Sequence, residues 1–165
     1  MSISMSQIEN NQASKHIVSV SAVIPARRER VYALIANYHD GHRRILPKQF
    51  SNLLVEQGGI GAGTIIRFQM SVLGRKQTFR AVVSEPEPGR MLVETDLDTN
   101  GSVTTFTVNP ATAPADCHVT ISTELKVSAG VLGFVERTFS SLLLRPIYAK
   151  ELENLARVAT GPFGA

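Results

Sequence analysis

The stretch Val55–Phe68, VEQGGIGAGTIIRF, sets Gly58, Gly59, Gly61 and Gly63 close together. Two folds compete over it. A dinucleotide fingerprint needs G-x-G-x-x-G between a strand and a helix, because the helix N-terminus holds the pyrophosphate. Here the spacing is Gly59-x-Gly61-x-Gly63, and no Lys-Ser/Thr pair closes a phosphate loop. The segment after the glycines has period two: Ile66, Phe68, Met70 and Val72 alternate with Ile65, Arg67, Gln69 and Ser71. That is a strand. The glycines therefore turn the chain between two strands by supplying positive φ, and no nucleotide or other cofactor is expected.

The same period runs outward in both directions. Before the loop, FSNLLVEQ is a strand with Leu53 and Val55 on one face. After it, Gly74-Arg75 fits a two-residue hairpin, and KQTFRAVVSE returns with Phe79, Ala81 and Val83 together. PEPG turns the chain into RMLVETDL, whose apolar parity is Met91, Val93 and Leu97, which leaves Glu94 and Asp96 facing solvent. Asn100-Gly101 marks the next turn. Thr104, Phe106 and Val108 share a face of the following strand. CHVTISTELKV then sets Cys117, Val119, Ile121, Thr123, Leu125 and Val127 against His118, Thr120, Ser122, Glu124 and Lys126. Near the start, HIVSVSAVIPA alternates in the same way until Pro25 ends it.

Helical period occurs in three places. Val31, Leu34, Ile35 and Tyr38 recur at helical spacing with charges opposite. DGHRRILP makes a short helical turn. A long helix is expected from about 131 to 159, roughly 43 Å at 1.5 Å per residue, with Leu132, Val135, Phe139 and Leu142 as its inward stripe. Pro146 should kink it near Leu142, and Gly161-Pro162 stops it. Each strand has one apolar face, and this helix is long enough to cover it. The expected fold is α+β: a curved seven-stranded antiparallel sheet around the long C-terminal helix, with two short helices after the first strand.

Composition narrows the function classes. The 165 residues fit one domain, and 43% hydrophobic with 19% charged residues can build a core. The net charge of +3 comes with no dense basic face. Arg27, Arg28 and Arg30, and His42, Arg43 and Arg44, read as solvated faces, so no nucleic acid is expected. One cysteine, Cys117, excludes an internal disulfide and suits a reducing cytoplasm. Residues 1–15 read as a disordered leader, 16–160 as the domain and 161–165 as a tail. No apolar run reaches the roughly 18 residues of a membrane span. The four histidines have no metal-binding spacing, so no metal is expected. His16 and His118 are expected at the surface. Ser140-Ser141 lacks a nucleophile elbow, and Arg67, Arg80 and Glu124 read as outward cross-strand charges.

Three motifs carry a family resemblance: VSVSAVIPARRERVYALIANYHD, GGIGAGTIIRF, and RTFSSLLLRPIYAKELENLARVA with its E-L-x-N-L ending. Their order over His16 to Thr160 resembles the START-like, or Bet v 1-like, superfamily, which includes polyketide cyclase/dehydrase and lipid-transport proteins. The resemblance implies a helix-grip fold with a cavity between sheet and helix. The presumed lining is Phe68, Met70, Phe79, Val93, Phe106 and Ile121 from the strands, with Phe134 and Phe139 from the helix; Leu125 shares the inward face. Such an apolar surface suits a lipid, polyketide or aromatic ligand. Tyr38, His39 and His42 lie where such folds open, and a histidine there could serve as a general base. Binding or transport of a hydrophobic small molecule is the leading expectation, by a monomer or homodimer with no stable membrane insertion. A cyclase/dehydratase-type enzyme and a co-chaperone or toxin-like interaction domain are the alternatives.

Overall fold

The computed structural model describes residues 14–98 and 101–162. The order is β1 (Ser14–Ile24), α1 (Arg28–Ala36), α2 (Gly41–Ile45), β2 (Phe50–Gln57), β3 (Ile65–Val72), β4 (Arg75–Glu87), β5 (Met91–Asp96), β6 (Val103–Pro110), β7 (Cys117–Val127) and α3 (Gly130–Thr160). The seven strands make one sheet in the order β1-β7-β6-β5-β4-β3-β2, antiparallel throughout. β2 to β7 form a meander, and β1 closes onto β7, with Val18 opposite Thr123 and Ile24 opposite Cys117. β1 begins at Ser14, two positions before the domain start read from the sequence; most of the expected leader and the Asn100 half of the expected turn lie outside the described residues.

The core is the inner sheet face against α1 and the second half of α3. Val18, Ile24, Ile66, Val83, Phe106, Val119 and Ile121 pack with Val31 and Ile35 of α1 and with Ile147, Leu152 and Leu155 of α3. Arg30 of α1 donates to Ala159 O at 2.6 Å and to Gly161 O at 2.9 Å, satisfying carbonyls that the end of α3 leaves without helical partners. Asn154 of α3 donates to Ile45 O at 3.0 Å and so ties α3 to α2.

The structure corrects four expectations. The β3–β4 loop is Leu73-Gly74, because Val72 pairs with Arg75; both loop residues have positive φ, 50° and 74°, as a type I′ turn requires. β5 presents the opposite face from the one its apolar residues suggested. Glu94 pairs with Val83 and Thr104, Leu92 with Phe106, and Asp96 with Ala81. Directly opposed residues share a face, so Leu92, Glu94 and Asp96 turn inward, and Leu92 and Asp96 are buried. The first half of α3 does not cover the sheet. Val131, Leu132, Phe134, Val135, Phe139 and Leu142 are all exposed, Phe134 at 68% and Phe139 at 49%. That half instead lies along the β1 edge, where Arg137 donates to Ser14 Oγ and Ser141 bonds His16 at 3.0 Å. That contact leaves His16 half-buried, as is His118, where the sequence suggested surface positions. Pro146 lies inside α3, which runs unbroken to Thr160.

Candidate functional site

A cavity of about 130 Å³ lies between the sheet, α2 and the middle of α3. One end is apolar. Phe68 and Phe79 stack at 5.5 Å between centroids, Phe50 tilts against Phe68 at 5.7 Å, and Met70, Leu46, Leu53, Leu125 and Leu144 complete it. Neighbouring strands place these side chains together because alternate residues of β3 and β4 face inward in register, Phe68 opposite Phe79.

The other end is polar and ionisable. Glu94 of β5, His42 of α2, and Tyr148 and Glu151 of α3 reach the cavity, with Thr104 and Thr123 from β6 and β7. Tyr38 is fully buried behind Glu94 and donates its hydroxyl to Glu94 Oε1 at 2.5 Å. His42 sits at 2.7 Å from Ile35 O through Nδ1; a carbonyl only accepts, so Nδ1 carries the proton. Its Nε2 then faces Glu94 Oε1 at 3.7 Å. The imidazole stacks on Tyr38 at 4.3 Å and meets Phe106 edge-on at 5.6 Å. Tyr148 hydrogen bonds Thr123 at 2.5 Å, and Thr123 bonds Thr104 at 2.8 Å.

Glu151 stands apart. It is 2% exposed, and its Oε1 has no hydrogen-bond partner. Burial, and next the negative charge of Glu94, hold its carboxyl well above the ordinary range of 4.5, in the protonated form. Burial also raises Tyr38, followed by its contact with Glu94, and pushes Tyr148 up to about 12. The buried thiol of Cys117 is raised to about 11, away from the reactive thiolate form. Among the described residues no cluster of His, Cys, Asp and Glu is arranged to hold a metal.

The glycine loop positions this end of the cavity. Gly61 N–H donates to Ala36 O at 2.9 Å, Tyr38 N–H to Gly59 O at 2.8 Å, and Ala62 N–H to Glu85 Oε2 at 2.8 Å. His39 bonds Gly58 O at 3.2 Å, and its ring lies over Gly59, where a Cβ would sit 1.9 Å from Nε2. Gly59 and Gly61 have φ of 131° and 62°. The loop therefore grips the end of α1 by its backbone, and the chain leaves that grip at Tyr38 on its way to Glu94.

Of the residues singled out from sequence, Phe68, Met70, Phe79 and Phe106 line the cavity. Ile121 is buried in the core and is not part of the lining. Val93 takes the parity opposite Glu94, and Phe134 and Phe139 face solvent, so none of these three lines it. Tyr38 and His42 converge on Glu94, whereas His39 is exposed and clasps the loop. The sequence reading missed Glu94 and Glu151. A signal for Glu151 existed: it follows Ile147 and Tyr148 at helical spacing, on the side that Leu152 and Leu155 also occupy. Arg67 and Arg80 both bind Glu56, and Lys15 pairs with Glu124, on the outer face as expected.

An antiparallel sheet closed by a long C-terminal helix, with a cavity between them, defines the helix-grip fold of the START-like and Bet v 1-like proteins. The model of the polyketide cyclase/dehydrase and lipid transport family matches residues 15–160, and the chain belongs to that family. It is similar to the KanY protein, solved in solution, at 30% identity over 90% of this chain and 99% of that one, with a TM-score of 0.78. An aromatase/cyclase from a Streptomyces species shares the fold at 14% identity, with 88% and 94% covered and a TM-score of 0.72. So does a START superfamily protein from Mycobacterium smegmatis, at 15% identity, 88% and 99% covered, and a TM-score of 0.70. No curated protein matches the chain. Among the described residues no helix is long and apolar enough to cross a membrane.

Proposed function

We propose that the protein binds a hydrophobic small molecule, a lipid, polyketide or aromatic compound, inside this cavity. The supporting observation is the lining: phenylalanines, a methionine and leucines around about 130 Å³ of space. A single water needs only ~10–15 Å³ measured in that way, so the cavity is far larger than a packing defect. Phe68, Phe79 and Met70 would hold the apolar body of the ligand, and the polar end would orient it. A cytoplasmic location and a monomer or homodimer go with this reading; the lone buried Cys117 supports the first.

The test is binding of a neutral naphthylamine fluorophore to the purified protein. Its emission should rise on binding and fall when fatty or polycyclic compounds displace it. Absence of any saturable binding would reject the reading.

A second reading is a cyclase or dehydratase acting in the same cavity, and the ionisable groups on the lining favour it. The walls would fold a reactive carbonyl chain. Glu151, held protonated, could give its proton to a carbonyl oxygen as a general acid. Turnover of a polyketone chain that disappears in Glu151→Gln while binding survives would establish this reading; binding without turnover leaves the first.

A further inference from the structure

The charge at the polar end is unbalanced. Two carboxyl groups, Glu94 and Glu151, reach one small cavity, and no lysine or arginine lines it among the described residues. An acidic pair alone is no site. Glu151, on the cavity lining, is a fully buried side chain whose Oε1 has no donor. The other ionisable groups at this end each have a neighbour. Tyr38 donates to Glu94, His42 Nε2 lies 3.7 Å from Glu94 Oε1, and Tyr148 is engaged with Thr123. A buried acceptor without a donor is costly, and burying a second acid beside Glu94 adds repulsion whenever both ionise. A ligand that brings both a positive charge and N–H donors relieves both costs at once.

We propose that the cavity takes an amphiphilic amine: an apolar aromatic or aliphatic body seated against Phe68 and Phe79, and one protonated nitrogen placed between Glu94 and Glu151. This rests on the hydrophobic-ligand reading and names the class of ligand. The ammonium donates to Glu151 Oε1, which the protein leaves without a partner. Its charge also offsets the field of Glu94, so Glu151 loses its proton more readily in the complex than in the free protein. Binding then releases a proton to solvent. The groups facing this exchange are Tyr38, His42 on α2, Glu94 on β5, and Tyr148 on α3. Glu94 is the acid among them, and His42 Nε2 lies 3.7 Å from its Oε1.

The experiment compares naphthylethylamine, naphthylethanol and naphthylacetic acid, which share an apolar body and differ in the head. Calorimetry on the wild-type protein at pH 7.5 should find the amine tighter than the alcohol by roughly tenfold or more, since hydrogen bonds to charged groups are the stronger ones. The acid should bind most weakly. Glu151→Gln and Glu94→Gln should each erase most of the preference for the amine while leaving the alcohol within a few-fold. In two buffers of different ionisation heat, amine binding by the wild type should show net proton release, and Glu151→Gln should reduce it. An alcohol or acid that binds as well as the amine overturns the proposal and leaves the hydrophobic-cavity reading standing. So does a preference that persists in both variants. Failure of all three compounds to bind overturns both.

Discussion

The Glu151→Gln substitution tests the electrostatics of the cavity without any ligand. The carboxyl is fully buried and held protonated well above 4.5 by burial and by Glu94. In the unfolded chain it ionises at its ordinary value. Between the two values the folded state holds a proton that the unfolded state has lost, so raising the pH favours unfolding. The contribution of this group is therefore complete below about pH 4.5 and is lost as the pH climbs toward the folded value. The loss is up to about 1.4 kcal/mol per pH unit. Glutamine keeps the shape and cannot ionise, so its stability lacks this slope. From pH 5 to pH 7 the variant should gain on the wild type, by no more than about 1.4 kcal/mol per pH unit. The assay is urea unfolding at several pH values, followed by far-ultraviolet circular dichroism because the chain has no tryptophan. Stability curves of the two proteins that run parallel with pH would refute the reasoning. They would mean that water or an alternative side-chain position solvates the carboxylate in the folded state.

Tyr38→Phe removes the buried hydroxyl that serves Glu94 at 2.5 Å and should cost about 1–3 kcal/mol in the same assay; an unchanged midpoint would mean that the bond contributes nothing net. Gly63→Ala should cost about 1 kcal/mol from its φ of 84° alone, since its Cβ would meet open space. Gly61→Ala should cost more, because its Cβ would lie 2.3 Å from Glu85 Oε2, an atom already engaged by Ala62 N–H. Equal costs would mean that the Glu85 side chain gives way freely. Phe139→Leu should leave both stability, within about 0.5 kcal/mol, and fluorophore affinity unchanged because the ring is half exposed. Phe106→Leu, in a cavity wall, should lower stability and alter affinity; identical behaviour of the two variants would contradict the placement of the cavity.

Legibility followed the range of the forces involved. Strand alternation was readable in β1, β3, β4, β6 and β7 because their inner faces are apolar and their outer faces polar. It failed in β5, where the inner face carries Glu94 and Asp96 and the outer carries Met91 and Val93. An alternation rule assigns the apolar parity to the core, so a strand that turns chemistry inward is read backwards. The same rule misplaced the first half of α3. Its stripe of Leu132, Val135, Phe139 and Leu142 has the spacing of a buried face, yet these side chains are exposed and that half of the helix is tied to β1 through Arg137 and Ser141. The glycine loop was correctly read as a turn, but its grip on α1 was not readable, because that contact joins residues distant in sequence.

The sequence by itself determined the number of strands, their antiparallel succession, the turns between most of them, the long C-terminal helix and the strand-to-strand setting of the glycine loop. These come from side-chain period and turn chemistry, which act within a few residues. Only the tertiary structure decided that His42, Glu94 and Glu151 meet at one cavity with Tyr38 behind Glu94, since they come from the α1–α2 segment, β5 and α3. It also decided that Glu94 faces inward, through the pairing of β5 with β4 and β6. The burial of a charge is a property of what packs around it, and nothing in the local pattern of RMLVETDL or YAKELENL sets the partner that each carboxyl will face.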